Sequence, residues 1–197
     1  MRELRKDYVL DRFVLVPDSS SSSAAAATAE QNERYDRCPY CPGNESMTSP
    51  ALLALVVKDG MLQRLSDSED SIIDDWSVRV FESKNPVVTT TAAASYSDKP
   101  LYSEPAYGYH QVVVATPDHK QSLPQMSVEQ WGNVLVVIQD RVRWLYTQKS
   151  VTYVSIYVNS GAGAGAQVPH PHLNIVTFSS IPPAIELEAE GSHRFMN

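Results

Sequence analysis

The 197-residue sequence predicts an α+β fold built around an antiparallel sheet. Two observations predict it: strand-like runs far outnumber helical ones, and they follow one another through turns and loops rather than alternating with helices. At 197 residues the chain is read as a single domain over 1–197, since ~100–200 residues per domain is usual, and it shows no sequence-period repeat. A chain of this size buries a sizeable core without disulfide staples. The formal charge of −7 and a pI of about 5.2 offer no basic surface, so neither nucleic acid nor a membrane is an expected partner. No apolar run approaches the ~18–20 residues of a membrane span. The charged start "MRELRKDYVL" lacks the apolar region of a signal peptide. The expected location is therefore the cytoplasm.

In chain order, "YVLDRFVLVP" alternates as a strand. The low-complexity stretch that follows, at about 19–33, is expected to be a mobile surface loop because it has no apolar pattern. "ALLALVVKDGMLQRL" predicts a hairpin turning at Asp59-Gly60. The acids of "SDSEDSIIDD" read as a solvated connection, and "WSVRVFESKNP" as a strand ended by proline. "TTTAAASYSDKPLYSEPAYG" is expected to be a long loop, and "YHQVVVATP" another strand. One long helix is convincing: Ser127 caps it, Gln130 is its capping-box partner, and it runs to about Gln148. Its expected apolar face is Trp131, Val134, Leu135, Ile138, Val142 and Leu145. "VTYVSIYVN" and "LNIVTF" are strands, and "IPPAIELEAEGSHRF" starts a second helix with prolines in its first turn. Trp76, Trp131 and Trp144 are expected to serve packing.

The chemistry concentrates in "NSGAGAGAQVPHPHLNIVTF". His170 and His172 are two apart in an extended segment and so share a face. They read as a metal ligand, a nucleophile, or both. The glycines before them permit backbone N–H groups to converge on an anion. Cys38 and Cys41 form a C-x-x-C pair, which reads as a metal or a redox site. No βαβ pattern surrounds it, which favours metal. With two histidines the pair completes a tetrahedral Cys2His2 set; His170 is one candidate, and His110 and His119 compete for the other place.

Together, "CPYCPGNE", "WSVRVFESKNP", "GYHQVVVATPDHKQSL" and the ordered Asn159, Gly165 and His-Pro-His resemble the galactose-1-phosphate uridylyltransferases of the histidine-triad superfamily. The resemblance runs from "ELRKDYVLDRFVLVP" through "IPP" and implies the N-terminal half of such an enzyme, a histidine-triad-like half-barrel with one long packed helix. It implies a structural zinc ion (Zn2+) on Cys38, Cys41, His119 and His170, and a nucleophilic His172. It also implies phosphate and nucleotide contacts from Phe81, Ser83, Asn159, Gly163, Gly165, Gln167 and Asn174. Three of these depart from the family's usual residue: Ser83 stands for an asparagine, Gln167 for a serine and Asn174 for a glutamine. The arginines usual after the first strand are replaced by "SSSSSAAAA".

The implied activity is a nucleotidyltransferase of galactose metabolism. It moves UMP between sugar 1-phosphates through a nucleotidyl-histidine, with a UDP-sugar and a sugar 1-phosphate as partners. The alternatives are an ADP-sugar or dinucleotide phosphorylase using the same histidine, or an inactive zinc-stabilised nucleotide-binding or scaffold protein. The family's second half is not seen before the chain ends, and an unpaired sheet edge then leads to the expectation of a homodimer.

Overall fold

The computed structural model describes residues 3–7, 12–16, 38–91 and 103–196. Among these residues there are eleven strands and α-helices. They are strands β1 (Glu3–Asp7), β2 (Arg12–Val16), β3 (Ala51–Lys58), β4 (Met61–Leu65), β5 (Val78–Glu82), β6 (Ser103–Pro105) and β7 (His110–Val114), helix α1 (Val128–Tyr146), strands β8 (Tyr153–Tyr157) and β9 (His172–Phe178), and helix α2 (Pro183–Met196). All pairings are antiparallel, in a six-stranded sheet ordered β4-β3-β5-β7-β9-β8 and a three-stranded sheet ordered β2-β1-β6. The fold is α+β with one long helix, as the sequence predicts. No helix among the described residues is long and apolar enough to cross a membrane.

The hairpin forms where expected, with Asp59 at φ 52° and Gly60 at φ 73°. That pair of positive angles matches the twist of the flanking strands. Because β7 and β8 are both antiparallel to β9, they run parallel to each other, and α1 makes the crossover between them. Strand β9 therefore enters between two neighbours, and His172 at its start pairs with Val114.

The two faces of the large sheet differ. Leu53, Leu55, Val78, Val80, Val113, Leu173 and Ile175 point to α1 and pack against Val134, Val137, Ile138 and Leu145. Each such side chain contributes roughly 1.5–3 kcal/mol relative to exposure. The opposite face carries Phe81, Val112 and Val114 with Ala51, Ala54 and Trp76, and, from β9, His172 and Asn174. A third cluster of Leu4, Val88, Ala106 and Val176 joins the small sheet to it.

Several expectations need correction. Leu135 is 59% exposed, while Val137 takes a core place. A helix turns ~100° per residue, so Leu135 stands that far round from buried Val134. Trp144 packs on the helix face as expected, against Tyr109 at 5.6 Å between centroids and beneath the Arg141 guanidinium at 4.4 Å, though it stays 40% exposed. Ser127 does accept from the Gln130 N–H, but the Gln130 side chain donates to the Ser77 and Ala115 carbonyls instead of closing a box. Helix α1 ends at Tyr146, two residues early. The charged segment 3–7 is a strand, and Ser103–Pro105, expected as loop, pairs with it. The low-complexity stretch at about 19–33 lies outside the described residues.

Asp67, expected as a solvated acid, is half-buried as a residue, and its side chain is only 2% exposed. Its carboxylate accepts from the Ala51 N–H at 2.7 Å, the Ile73 N–H at 2.9 Å and Arg79 Nη2 at 2.8 Å. Burial pushes this carboxyl up, but the two N–H groups and the guanidinium outweigh it and hold it below its ordinary value. Its stabilisation is complete above the unfolded value near ~4 and is lost as pH falls through the lower folded value. Asp67→Asn should cost about 3–5 kcal/mol, since it leaves Arg79 buried without its counter-charge. Thermal melts from pH 7 to 2 should show the parent losing stability on acidification more steeply than the variant. Parallel curves would exclude the role.

Candidate nucleotidyl-transfer site and metal centre

The C-x-x-C segment folds into a tight knuckle: the Cys41 N–H donates to the Cys38 carbonyl at 3.3 Å, and Asn44 Nδ2 to the same carbonyl at 2.9 Å. The knuckle is clamped to the sheet by Glu45, whose carboxylate accepts from the Gly43 N–H at 2.9 Å and from Trp76 Nε1 at 2.8 Å. Arg79 Nη1 donates to Thr48 Oγ1 at 2.7 Å. These polar groups hold the cysteines over the sheet face opposite α1.

Four donor atoms converge there. Cys41 Sγ is 3.2 Å from His119 Nδ1 and 3.6 Å from His170 Nδ1, and Cys38 Sγ is 3.8 Å from His170 Nδ1. All four ligand atoms lie within 4.8 Å of one another. A tetrahedron with ~2.3 Å metal–sulfur and ~2.0 Å metal–nitrogen bonds has sulfur–nitrogen edges of about 3.5 Å, so the set fits one ion. His170 Nε2–H donates to the Thr116 carbonyl at 2.7 Å, which turns the lone pair of Nδ1 toward both sulfurs. Burial, and then the neighbouring Cys38 thiol, push the Cys41 thiol up to about 12 and favour its protonated form, so an ion bound here would have to displace that proton. The cluster can hold a metal ion. It contains His119; His110 lies elsewhere and bonds Asn174.

His172, two residues after His170, begins β9. Its Nδ1–H donates to the His170 carbonyl at 2.7 Å. A neutral imidazole has one proton, so Nε2 keeps its lone pair. Burial pushes His172 below its ordinary value, against the opposing effect of that hydrogen bond, and favours the neutral ring. Tyr40, from inside the C-x-x-C segment, sets its edge against the ring with centroids 5.2 Å apart.

A cleft opens beside these groups, lined among others by His119, Lys120, Asn159, Gly161, Ala166 and His172. The loop over it turns at Gly161 (φ 79°) and Gly165 (φ 80°), a backbone that L side chains rarely adopt. Of the N–H groups between 163 and 167, those of Ala164 and Ala166 donate to the Gly161 carbonyl. Both are therefore engaged within the loop and not turned toward an anion. Gly163, Gly165 and Gln167 are exposed on the same loop. Phe81 does not line the cleft: it is buried behind Tyr40, 5.4 Å between centroids. Ser83 donates its N–H to the His110 carbonyl at 2.9 Å, and His110 contacts Asn174 Oδ1 at 3.1 Å. Sequence reasoning missed Tyr40, Glu45, Arg79 and Thr116. Only the first two carried a signal, by their place in "CPYCPGNE".

The profile of the galactose-1-phosphate uridyl transferase N-terminal domain matches residues 71–182. An ADP-glucose phosphorylase of Arabidopsis thaliana is 23% identical over 96% of this chain and 52% of its own. A galactose-1-phosphate uridylyltransferase of Thermotoga maritima is 32% identical over 58% of this chain and 37% of its own. The chain thus spans about half or less of these relatives' length. A solved uridylyltransferase superposes with a TM-score of 0.70 at 22% identity, over 98% of this chain and 51% of that one. The crystal structure of the Arabidopsis ADP-glucose phosphorylase with bound ADP-glucose gives 0.64 at 23%, over 99% and 54%. These two likenesses establish the shared fold. With more than half of its residues matched by the domain profile, the chain belongs to the galactose-1-phosphate uridyl transferase family, in its N-terminal domain.

Proposed function

We propose that this domain transfers a nucleotidyl group through a covalent bond to His172 Nε2. The observation that carries the reading is the 2.7 Å hydrogen bond from His172 Nδ1 to the His170 carbonyl, which leaves Nε2 as a neutral, oriented nucleophile beside the cleft. Nε2 attacks the α-phosphorus of a UDP-hexose, the bond from that phosphorus to the bridging oxygen breaks, and hexose 1-phosphate leaves. A phosphate oxygen of a second sugar 1-phosphate then attacks the same phosphorus. The P–N bond breaks, His172 is restored and a new UDP-sugar departs. Asn159, Gly163, Gly165, Gln167 and Asn174 are the proposed phosphate contacts. Phe81 and Ser83 belong to the proposed nucleotide-binding region, with Phe81 acting behind Tyr40.

We assign the metal centre to zinc, on the soft two-thiolate, two-imidazole donor set. When bound, the ion is structural: it cross-links the knuckle to the loops carrying His119 and His170. A second substrate reading, an ADP-sugar with inorganic phosphate as the acceptor, is favoured by the Arabidopsis relative's alignment over 96% of the chain.

Intact mass after alkaline quench reads the first step. Incubation with UDP-glucose should add one uridylyl group, or with ADP-glucose one adenylyl group, and His172→Ala should add neither. No adduct on zinc-loaded, folded parent with either donor would move the assignment to a binding or scaffold role. Elemental analysis should find one zinc per chain. Cys41→Ser should hold far less and melt about 6–12 °C lower, the shift for a loss of ~3 kcal/mol in a domain of this size. Equal zinc content in the two proteins would overturn the ligand set.

A further inference from the structure

His110 competed in the sequence for a metal ligand's place and lost it, yet it is 9% exposed and bonded on several sides. Its carbonyl accepts from the Ser83 N–H at 2.9 Å, and its Nδ1 accepts from the Val87 N–H at 3.1 Å. A backbone N–H can only donate, so Nδ1 must carry the lone pair and Nε2 the proton of a neutral ring. Nε2 lies 3.1 Å from Asn174 Oδ1. That contact is a donation from the ring, which fixes which end of the Asn174 amide faces His110. Asn174 stands two residues beyond His172 on the same face of β9, and His110 reaches it diagonally from β7.

We propose that His110 is a positioning residue for nucleotidyl transfer. It commits the Asn174 oxygen to β7 and so leaves the amide NH2 as the donor available to phosphoryl oxygens at His172. It also ties that amide to the 83–87 segment. The inference rests on the reading of His172 as the nucleophile. An unrestrained asparagine amide can present either end, and its oxygen would repel an anionic phosphoryl group. The ring removes that ambiguity because the Val87 N–H fixes its own tautomer.

The test is the rate of adduct formation on the full chain with UDP-glucose and ADP-glucose, read by rapid quench and intact mass over a range of donor concentrations. His110→Asn keeps an acceptor for Val87 but loses the donor to Asn174. It should slow nucleotidylation at least 10-fold with little change in the half-saturating donor concentration. His110→Gln restores an N–H2 near the Nε2 position and should recover most of the rate. Asn174→Asp still accepts from His110 but replaces the outward donor with an oxygen, so it should be slower than Asn174→Ala. His110→Asn combined with Asn174→Ala should be no slower than Asn174→Ala alone, since both act through one amide. Melting temperatures identify any variant whose loss is a folding defect, and Asn174→Asp carries the test if His110→Asn fails to fold. A parent that forms adduct while His110→Asn or Asn174→Asp matches its rate overturns the positioning role alone. A parent that forms none overturns the His172 reading and this inference with it.

Discussion

His170 is the residue on which the site depends, because three of its groups are committed at once. Its Nδ1 faces both cysteines, its Nε2–H is held by the Thr116 carbonyl, and its own carbonyl accepts from the next histidine. The side chain therefore belongs to the candidate metal centre and the main chain to the proposed nucleophile. Pro171 between them has no N–H to compete and holds its φ near ~−65°. Its carbonyl accepts from the Ala115 N–H at 3.0 Å, so the His-Pro-His segment is laced to the end of β7 before β9 begins. A metal bound at Nδ1 of His170 would thereby restrain the ring two residues away through backbone alone.

The sheet supplies the rigidity this requires. Strand β9 is paired on both sides, and its alternation divides the labour: Leu173 and Ile175 go under α1, while His172 and Asn174 face the site. One face is a dry core whose cohesion is area burial. The other holds the ion pair of Asp67 with Arg79, the Glu45 clamp and the thiol–imidazole cluster, and it is held by directed bonds. Tyr40 joins the two halves of that second face. Its ring touches Phe81 at 5.4 Å on one side and His172 at 5.2 Å on the other.

Elements with a local cause were legible in the sequence. Asp59-Gly60 turns the hairpin by its own φ preference, Ser127 caps α1, and alternate residues of the segment after Pro171 share a face. The cysteine pair and His-Pro-His were legible because chemistry demands those residue types at those spacings. What could not be read depends on partners distant in the chain. Asp67 looks solvated until Arg79 arrives from β5, Gln130 leaves its cap for two carbonyls of the sheet, and the charged strand β1 exists only by pairing with β2 and β6. His110 and His119 are equivalent as isolated letters. The strand register turns the first to Asn174, and the turn after Thr116 carries the second to Cys41.

Backbone carbonyls fix the two rings in opposite tautomers. Long-range 1H–15N correlation of 15N-histidine-labelled, zinc-loaded protein at pH 7 tests it most directly. The expected spectrum has His172 protonated at Nδ1 with a bare Nε2, and His170 protonated at Nε2 with its Nδ1 metal-bound. A His172 protonated at Nε2, or at both nitrogens, would contradict it.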